Sequence, residues 1–173
     1  SPDGKTLAFT SMRTGTPQVF TMPAAGGPVT QVTHHTSGSE CAGWFPDGEA
    51  LLVRGLRDHW WKTTQAYRYF KVALGERRAE ELLFDDYGDD ASLSPDGTQL
   101  LFTREGPAWW RKGYYGSQAA QIWRYDLHDK SFQKLLDPAT GARYPLWKPD
   151  GKSFYYVGNG SSKSWNLNEY DLA

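Results

Sequence analysis

Two stretches of the 173-residue chain concentrate the side chains best suited to gripping another molecule. The first, GLRDHWWKTTQAYRY (residues 55–69), holds Arg57, Trp60, Trp61 and Lys62. The second, EGPAWWRKGYYGSQA (residues 105–119), holds Trp109, Trp110, Arg111, Lys112, Tyr114 and Tyr115. Aromatic faces supply contact area and attract cations, and Trp, Tyr and Arg dominate binding hot spots. Mixed in this way they suit a peptide, with apolar side chains on the rings and carboxylates on the cations. The same mixture can stack single-stranded nucleic acid. Against that partner stand a formal charge of −1, from 19 basic and 20 acidic residues, and the acidic run DDYGDD at 85–90. Neither nucleic acid nor an anionic membrane surface is expected as a partner. The competing account is that both stretches fold onto their own sheets. Tryptophans would then fill gaps, and arginines would pair with Asp85, Asp86, Asp89 or Asp90.

Covalent and metal chemistry leave no comparable trace. The chain has no GxSxG nucleophile elbow, no GxxxxGK phosphate cradle and no HExxH. No residue is therefore expected to be catalytic. His34 and His35 precede Glu40, and His59 follows Asp58, but none has the ligand spacing of a structural zinc site, and His128 stands apart. No metal and no cofactor are expected. The single cysteine, Cys41, leaves the fold without an internal disulfide, which fits a reducing compartment. The cytoplasm is the expected location, with the periplasm as the alternative. No run approaches the ~18 apolar residues that span a bilayer.

The elements that position these stretches follow from a repeat. PDG recurs in SPDGKTLAFT from Ser1, FPDGEALLVR from Phe45, SPDGTQLLFT from Ser94 and KPDGKSFYYV from Lys148, at intervals of 44, 49 and 54 residues. A period in the forties suits a four-stranded propeller blade. Each PDG leads into an apolar run (TLAFT, ALLV, QLLF, SFYYV). An aromatic-alternating run follows (PQVFTMP, AYRYFKVAL, AQIWRYDL, SWNLNEYDL), and then a third (PVTQVT, AEELLF, FQKLL). Short runs CAGWF, DASLS and YPLW precede the next PDG. Period-two alternation marks half-buried strands. The best helical pattern, LGERRAEELLF, holds a strand position in the repeat.

The expected fold is thus an all-β partial propeller of about four blades, each a four-stranded antiparallel meander. Blade I (1–36) lacks its inner strand, blade II spans 37–87, blade III spans 88–139, and blade IV (140–173) lacks its outer strand. Naming the strands A to D from the inside outward, PDG forms the A–B turn, with Pro at the second turn position, Asp bonding to nearby backbone and Gly at positive φ. Pro2, Asp3, Gly4, Pro46, Asp47, Gly48, Pro95, Asp96, Gly97, Pro149, Asp150 and Gly151 are accordingly structural. The two aromatic stretches become B–C loops at the opposite end, beside the crossovers HHTSGSEC, DDYGDDA and DPATGARY. Trp44, Phe102, Trp123 and Trp147 fall in strand runs and are core candidates. The inner strands, read as CAGWF, DASLS and YPLW, offer no convergent carboxylates or metal ligands for an enzyme working at a central channel.

At this point the residues resemble a known family. SPDGKTLAFTSMRTGTPQVFTMPAAGGPVTQVTHH is similar to the WD-like repeats shared by TolB, dipeptidyl-peptidase and tricorn propellers. The succession GWFPDGEALLVRG, FTREGPAWWRKGYYGSQAAQIWRYDL and PLWKPDGKSFYYVGN resembles, more narrowly, the N-terminal six-bladed propeller of tricorn-like serine peptidases. That resemblance implies a non-catalytic module of a serine protease whose nucleophile lies in a separate domain. The module would guide or gate peptide substrates and contribute to assembly. Its partners would be peptides or other domains of the parent peptidase. A TolB-like protein-interaction propeller of the cell envelope is the alternative. Fourteen strands are too few for six blades. The expectation is a piece of a longer protein, or a homo-oligomer formed through open blade edges.

Overall fold

A computed structural model describes residues 1–57, 67–75, 79–105, 114–159 and 164–172. Among these residues there is no helix, and the apolar runs of the repeat are strands. One sheet contains β1 (Thr6–Ser11), β2 (Gln18–Pro23) and β3 (Thr30–Gln31). The next contains β4 (Glu40–Trp44), β5 (Ala50–Leu56), β6 (Tyr67–Ala73) and β7 (Glu81–Leu82). A third holds β8 (Asp89–Leu93), β9 (Gln99–Arg104), β10 (Gln121–Asp126) and β11 (Ser131–Leu136). The last holds β12 (Ala142–Trp147), β13 (Ser153–Gly158) and β14 (Asn166–Asp171). Strands pair antiparallel with their sequence neighbours, so every sheet is a meander. This is a partial all-β propeller. The chain divides into two compact units, Ser1–Tyr87 with the first two sheets and Gly88–Ala173 with the other two.

The PDG turns share one geometry. In SPDG at 94–97, the Gly97 amide donates to the Ser94 carbonyl at 2.9 Å, and Gly97 takes φ +75°, where a Cβ is penalised. Gly4, Gly48 and Gly151 repeat both features, bonding to Ser1, Phe45 and Lys148. The Asp supplies a second clasp: Asp96 Oδ1 accepts from the Thr98 amide at 3.0 Å, as Asp3, Asp47 and Asp150 do from Lys5, Glu49 and Lys152. A hydrogen bond from the Ser94 hydroxyl, then the Thr98 amide, holds the Asp96 carboxyl below its ordinary 3.8. Asp3 is lowered chiefly by the Ser1 hydroxyl, and Asp150 by the Lys152 amide. A depressed folded pKa contributes stability that is complete above 3.8 and lost as pH falls through the folded values. Urea midpoints measured from pH 7 downward should therefore hold and then drop in acid. Asp96→Asn, which keeps the Oδ1 acceptor but not the charge, should shallow that drop.

Within each unit the two sheets are joined by a repeated pair of bonds. In Ser1–Tyr87, Thr10 Oγ1 accepts from the Cys41 amide at 2.9 Å and the Pro17 carbonyl accepts from the Ser39 amide at 2.7 Å. In Gly88–Ala173, Thr103 Oγ1 accepts from the Tyr144 amide at 3.3 Å and the Ala120 carbonyl from the Ala142 amide at 2.8 Å. Apolar contact fills each seam. Val19, Leu51, Val53, Phe70 and Val72 form one core, and Leu101, Ile122, Ala142, Trp147 and Phe154 the other. Phe102 and Trp147 are buried, while Trp44 and Trp123 are half-buried.

Each crossover carries a glycine one or two residues before its inner strand, at 38, 88 and 141. At Gly88 an added Cβ would stand 2.5 Å from Cδ2 of the fully buried Phe102 ring. Gly88→Ala should destabilise by about 1–3 kcal/mol through overpacking, read as a lower urea midpoint at unchanged slope. The B–C connections differ in length: residues 12–17, 57–66, 105–120 and 159–165 separate the second and third strands of successive repeats.

Candidate functional site

The expected loop-face residues divide between described and undescribed positions. Trp60, Trp61, Trp109, Trp110, Arg111 and Lys112 lie outside the described residues. Arg57, Tyr114 and Tyr115 are described, and they occupy the roots of the two long loops.

Arg57 leaves the end of β5 and turns back over its own sheet. Its Nη1 donates to the Gly38 carbonyl at 2.7 Å, and its Nη2 to Ser39 Oγ at 2.9 Å and Glu80 Oε2 at 2.8 Å. The guanidinium lies 4.7 Å from the centroid of the Phe70 ring. Only 11% of the side chain is exposed. The space it occupies exists because residue 55 is glycine, whose Cβ would sit 2.1 Å from Arg57 Nη1. Arg57 therefore braces the loop root against the crossover, with most of its donors engaged inside its own unit.

The same brace is repeated with variations. Arg13 lies 4.8 Å over Phe20, and Arg104 5.3 Å over Trp123, each a cation on the third-strand aromatic of its sheet. Two more arginines of the second sheet are stacked and ion-paired. Arg54 sits 4.4 Å over Tyr67 and 2.8 Å from Glu40, while Arg68 sits 4.8 Å over Tyr87 and bonds Asp85. At the far root of the second loop, the Tyr114 hydroxyl covers Gly116, where a Cβ would lie 2.7 Å from it. Ala119 and Ala120 are buried and fix the return into β10, whereas Tyr115 stands 70% exposed.

A charged cluster missed by the sequence reading lies on the inner strands of the second unit. Strand β8 begins at Asp89 and β12 at Ala142, so Asp89, Asp90 and Arg143 belong to strands and not to the crossovers. The expected inner strand DASLS begins at Asp90 and YPLW at Tyr144; both strands start earlier, so that Asp89 and Asp90 converge on Arg143, where no convergent carboxylates were expected. Arg143 Nη2 stands 3.2 Å from Asp90 Oδ2 and 3.7 Å from Asp89 Oδ2, with only 4% of the arginine side chain exposed. Both strands bulge here, between Asp89 and Ser92 and between Arg143 and Leu146. Asp90 and Tyr144 take positive φ, 50° and 54°, within these bulges. The legible signal was register: Glu40, Asp89 and Arg143 are the residues opposite the position six beyond each PDG glycine, namely Arg54, Thr103 and Val157. Elsewhere on the inner strands, burial pushes the Cys41 thiol up, away from the thiolate form.

Residues 1–173 match the family described as "Tricorn protease N-terminal beta propeller domain". A relative named tricorn protease homolog 1, from Streptomyces coelicolor, is 33% identical over 163 residues, covering 89% of this chain and 14% of the relative. Among solved structures, a putative TolB from Agrobacterium tumefaciens superposes with a TM-score of 0.75 at 22% identity, over 99% of this chain and 59% of that one. The tricorn protease crystal structure gives a TM-score of 0.50 at 14% identity, over 98% of this chain and 20% of that one. These two structural likenesses concern the fold. The chain spans about a seventh of the tricorn homolog's length.

Proposed function

The chain belongs to the family of tricorn protease N-terminal β-propeller domains, and from that membership we propose that it is a non-catalytic module that guides or gates peptides for a serine peptidase core and contributes to that enzyme's assembly. In this reading hydrolysis belongs to other parts of the parent protein, and the compartment is the cytoplasm. The observation that carries the proposal is the bracing of both long loops at their roots. Arg57 is tied to Gly38, Ser39 and Glu80, and Ala119–Ala120 are buried beside the exposed Tyr115. Loops fixed at the root present their aromatic and cationic residues at lower entropic cost than free ones. In this proposal each loop offers its own rim to an extended peptide, Trp60 and Trp61 in the first and Trp109, Trp110, Arg111, Lys112, Tyr114 and Tyr115 in the second, rings against its apolar side chains and cations against its carboxylates.

Titrating the chain with unstructured peptides, followed by tryptophan emission, should give saturable binding. Trp109→Ala combined with Trp110→Ala should weaken it by at least about tenfold, since central aromatic hot spots contribute about 2 kcal/mol or more. Unchanged affinity would remove the rim. Turnover of those peptides, or labelling by a serine-directed covalent probe, would overturn the non-catalytic role. A TolB-like envelope module would instead bind a folded protein partner and ignore the peptides.

A further inference from the structure

The outer strand of a meander has a neighbour on one side only, and its other side presents amides and carbonyls to any strand that arrives. The first two sheets blunt that edge, because β3 and β7 are two residues long each. The third does not. Strand β11 lies in mid-sequence between β10 and β12 and runs for six residues. Among the described residues it pairs with β10 alone. Its first four residues, Ser131, Phe132, Gln133 and Lys134, are all exposed. Opposite the step from Ile122 to Trp123 the register then shifts, and Leu135 and Leu136 pack against the core of Leu101, Ile122 and Phe154. The open edge is therefore short and bounded, Ser131 to Lys134.

Side chains along this edge are sorted by face. Phe132 and Lys134, two residues apart, share the face of their cross-strand partners Tyr125 and Trp123. The Phe132 ring lies 4.8 Å from Tyr125 and 6.3 Å from Phe102, yet it stays 42% exposed. Lys134 Nζ stands 5.8 Å over Trp123 and 2.5 Å from Asp137, a carboxylate in solvent that another can replace. The opposite face of the edge offers Ser131 and Gln133, both polar and uncharged. An edge lysine repels a strand that sets a cation opposite it and favours one that sets an acid there. An aromatic ring on the same face favours an apolar neighbour across the pair.

We propose that Ser131–Lys134 is a docking edge for an extended acidic peptide, which joins the sheet as an antiparallel fifth strand beyond β11. Its glutamate or aspartate lies opposite Lys134, and an apolar residue lies opposite Phe132. Read along the peptide, the acid precedes the apolar residue by two positions, with a polar residue between them facing Gln133. Main-chain bonds supply the affinity, and the two side-chain contacts supply the selection. This site goes beyond the peptide-guiding reading and uses none of the loop-rim residues, so either can fail without the other.

The test titrates the chain with the capped peptide Thr-Glu-Thr-Val-Thr, up to about 1 mM because so small an interface binds weakly, and follows backbone amide shifts by NMR. The expected result is saturable shifts centred on Ser131–Lys134. Exchanging the peptide's glutamate for lysine should weaken binding by about two- to thirtyfold, a cross-strand attraction lost and a repulsion gained. Lys134→Glu should reverse that preference, so that the lysine peptide becomes the better ligand. Lys134 is an exposed residue, so the variant should keep the wild-type fold, checked by near-UV circular dichroism. N-methylating alternate peptide amides should abolish binding in one phase and spare it in the other, since a strand pairs along one edge. Absence of shifts at β11, an unreversed preference in Lys134→Glu, or equal effects of the two methylation phases overturns the proposal. Shifts that vanish when Trp109→Ala and Trp110→Ala are combined overturn it too, because they would belong to the rim.

Discussion

Arg143→Ala is expected to destabilise the chain by about 3–5 kcal/mol, seen as a collapse of the urea midpoint and loss of near-UV ellipticity. The guanidinium is 4% exposed and is shared by two carboxylates that are themselves 15% and 12% exposed. Removing it leaves Asp89 and Asp90 adjacent and largely desolvated, with the guanidinium they share gone. The sign of the interaction can be separated from its size. Arg143→Met with Asp89→Asn and Asp90→Asn removes all three charges and their debts of solvation, and should recover most of the loss. Asn is suited to position 90 because it tolerates the positive φ found there. Equal destabilisation by the single and the triple variant would mean that shape, not charge, holds the bulges.

Phe154→Ala should cost about 3–5 kcal/mol, lowering Tm by roughly 6–20 °C for a chain of this length. Its ring is fully buried, with Tyr170 at 5.1 Å, Tyr156 at 6.1 Å and Trp147 at 6.4 Å between centroids. No small rearrangement refills a hole bounded by three other aromatic rings. Phe132→Ala is the control of identical chemistry. Phe132 lies on the outer strand β11 at 42% exposure, and its loss should lower Tm by no more than about 4 °C. Similar shifts for the two variants would show that burial does not rank these positions.

What could be read from the sequence was what is local. Pro, Asp and Gly in succession specify their turn from covalent geometry alone, and period-two alternation locates strands without knowledge of their partners. What escaped was non-local or irregular. Arg57 was visible as a cation beside two tryptophans, but Gly38, Ser39 and Glu80 lie 18 or more residues away in sequence and reach it only in the folded sheet. Asp89 and Arg143 read as crossover residues, and Asp90 as the very start of a strand, because a bulge inserts an extra residue and breaks the alternation on which strand recognition rests. Thr10 and Thr103 were legible as repeated threonines. Their task of catching the next sheet's amide was not, since it depends on which strand arrives there. The pairings foreseen as Asp85, Asp89 and Asp90 with arginine do form, but with Arg68 and Arg143 from strands instead of loop residues.

The unequal B–C connections have one further consequence. From the crossover glycines 38, 88 and 141 to the next PDG prolines 46, 95 and 149 the distance is always seven or eight residues. From the second strand to the third it grows from residues 12–17 to residues 105–120. Closing the longer loop costs only roughly 0.9 kcal/mol more than the shorter, because loop entropy rises with the logarithm of length. The repeat therefore keeps a fixed metre on its inner side and a free one at the loop end. New sequence can be written into that end, by insertion or exchange, without renegotiating the packing of the sheets that carry it.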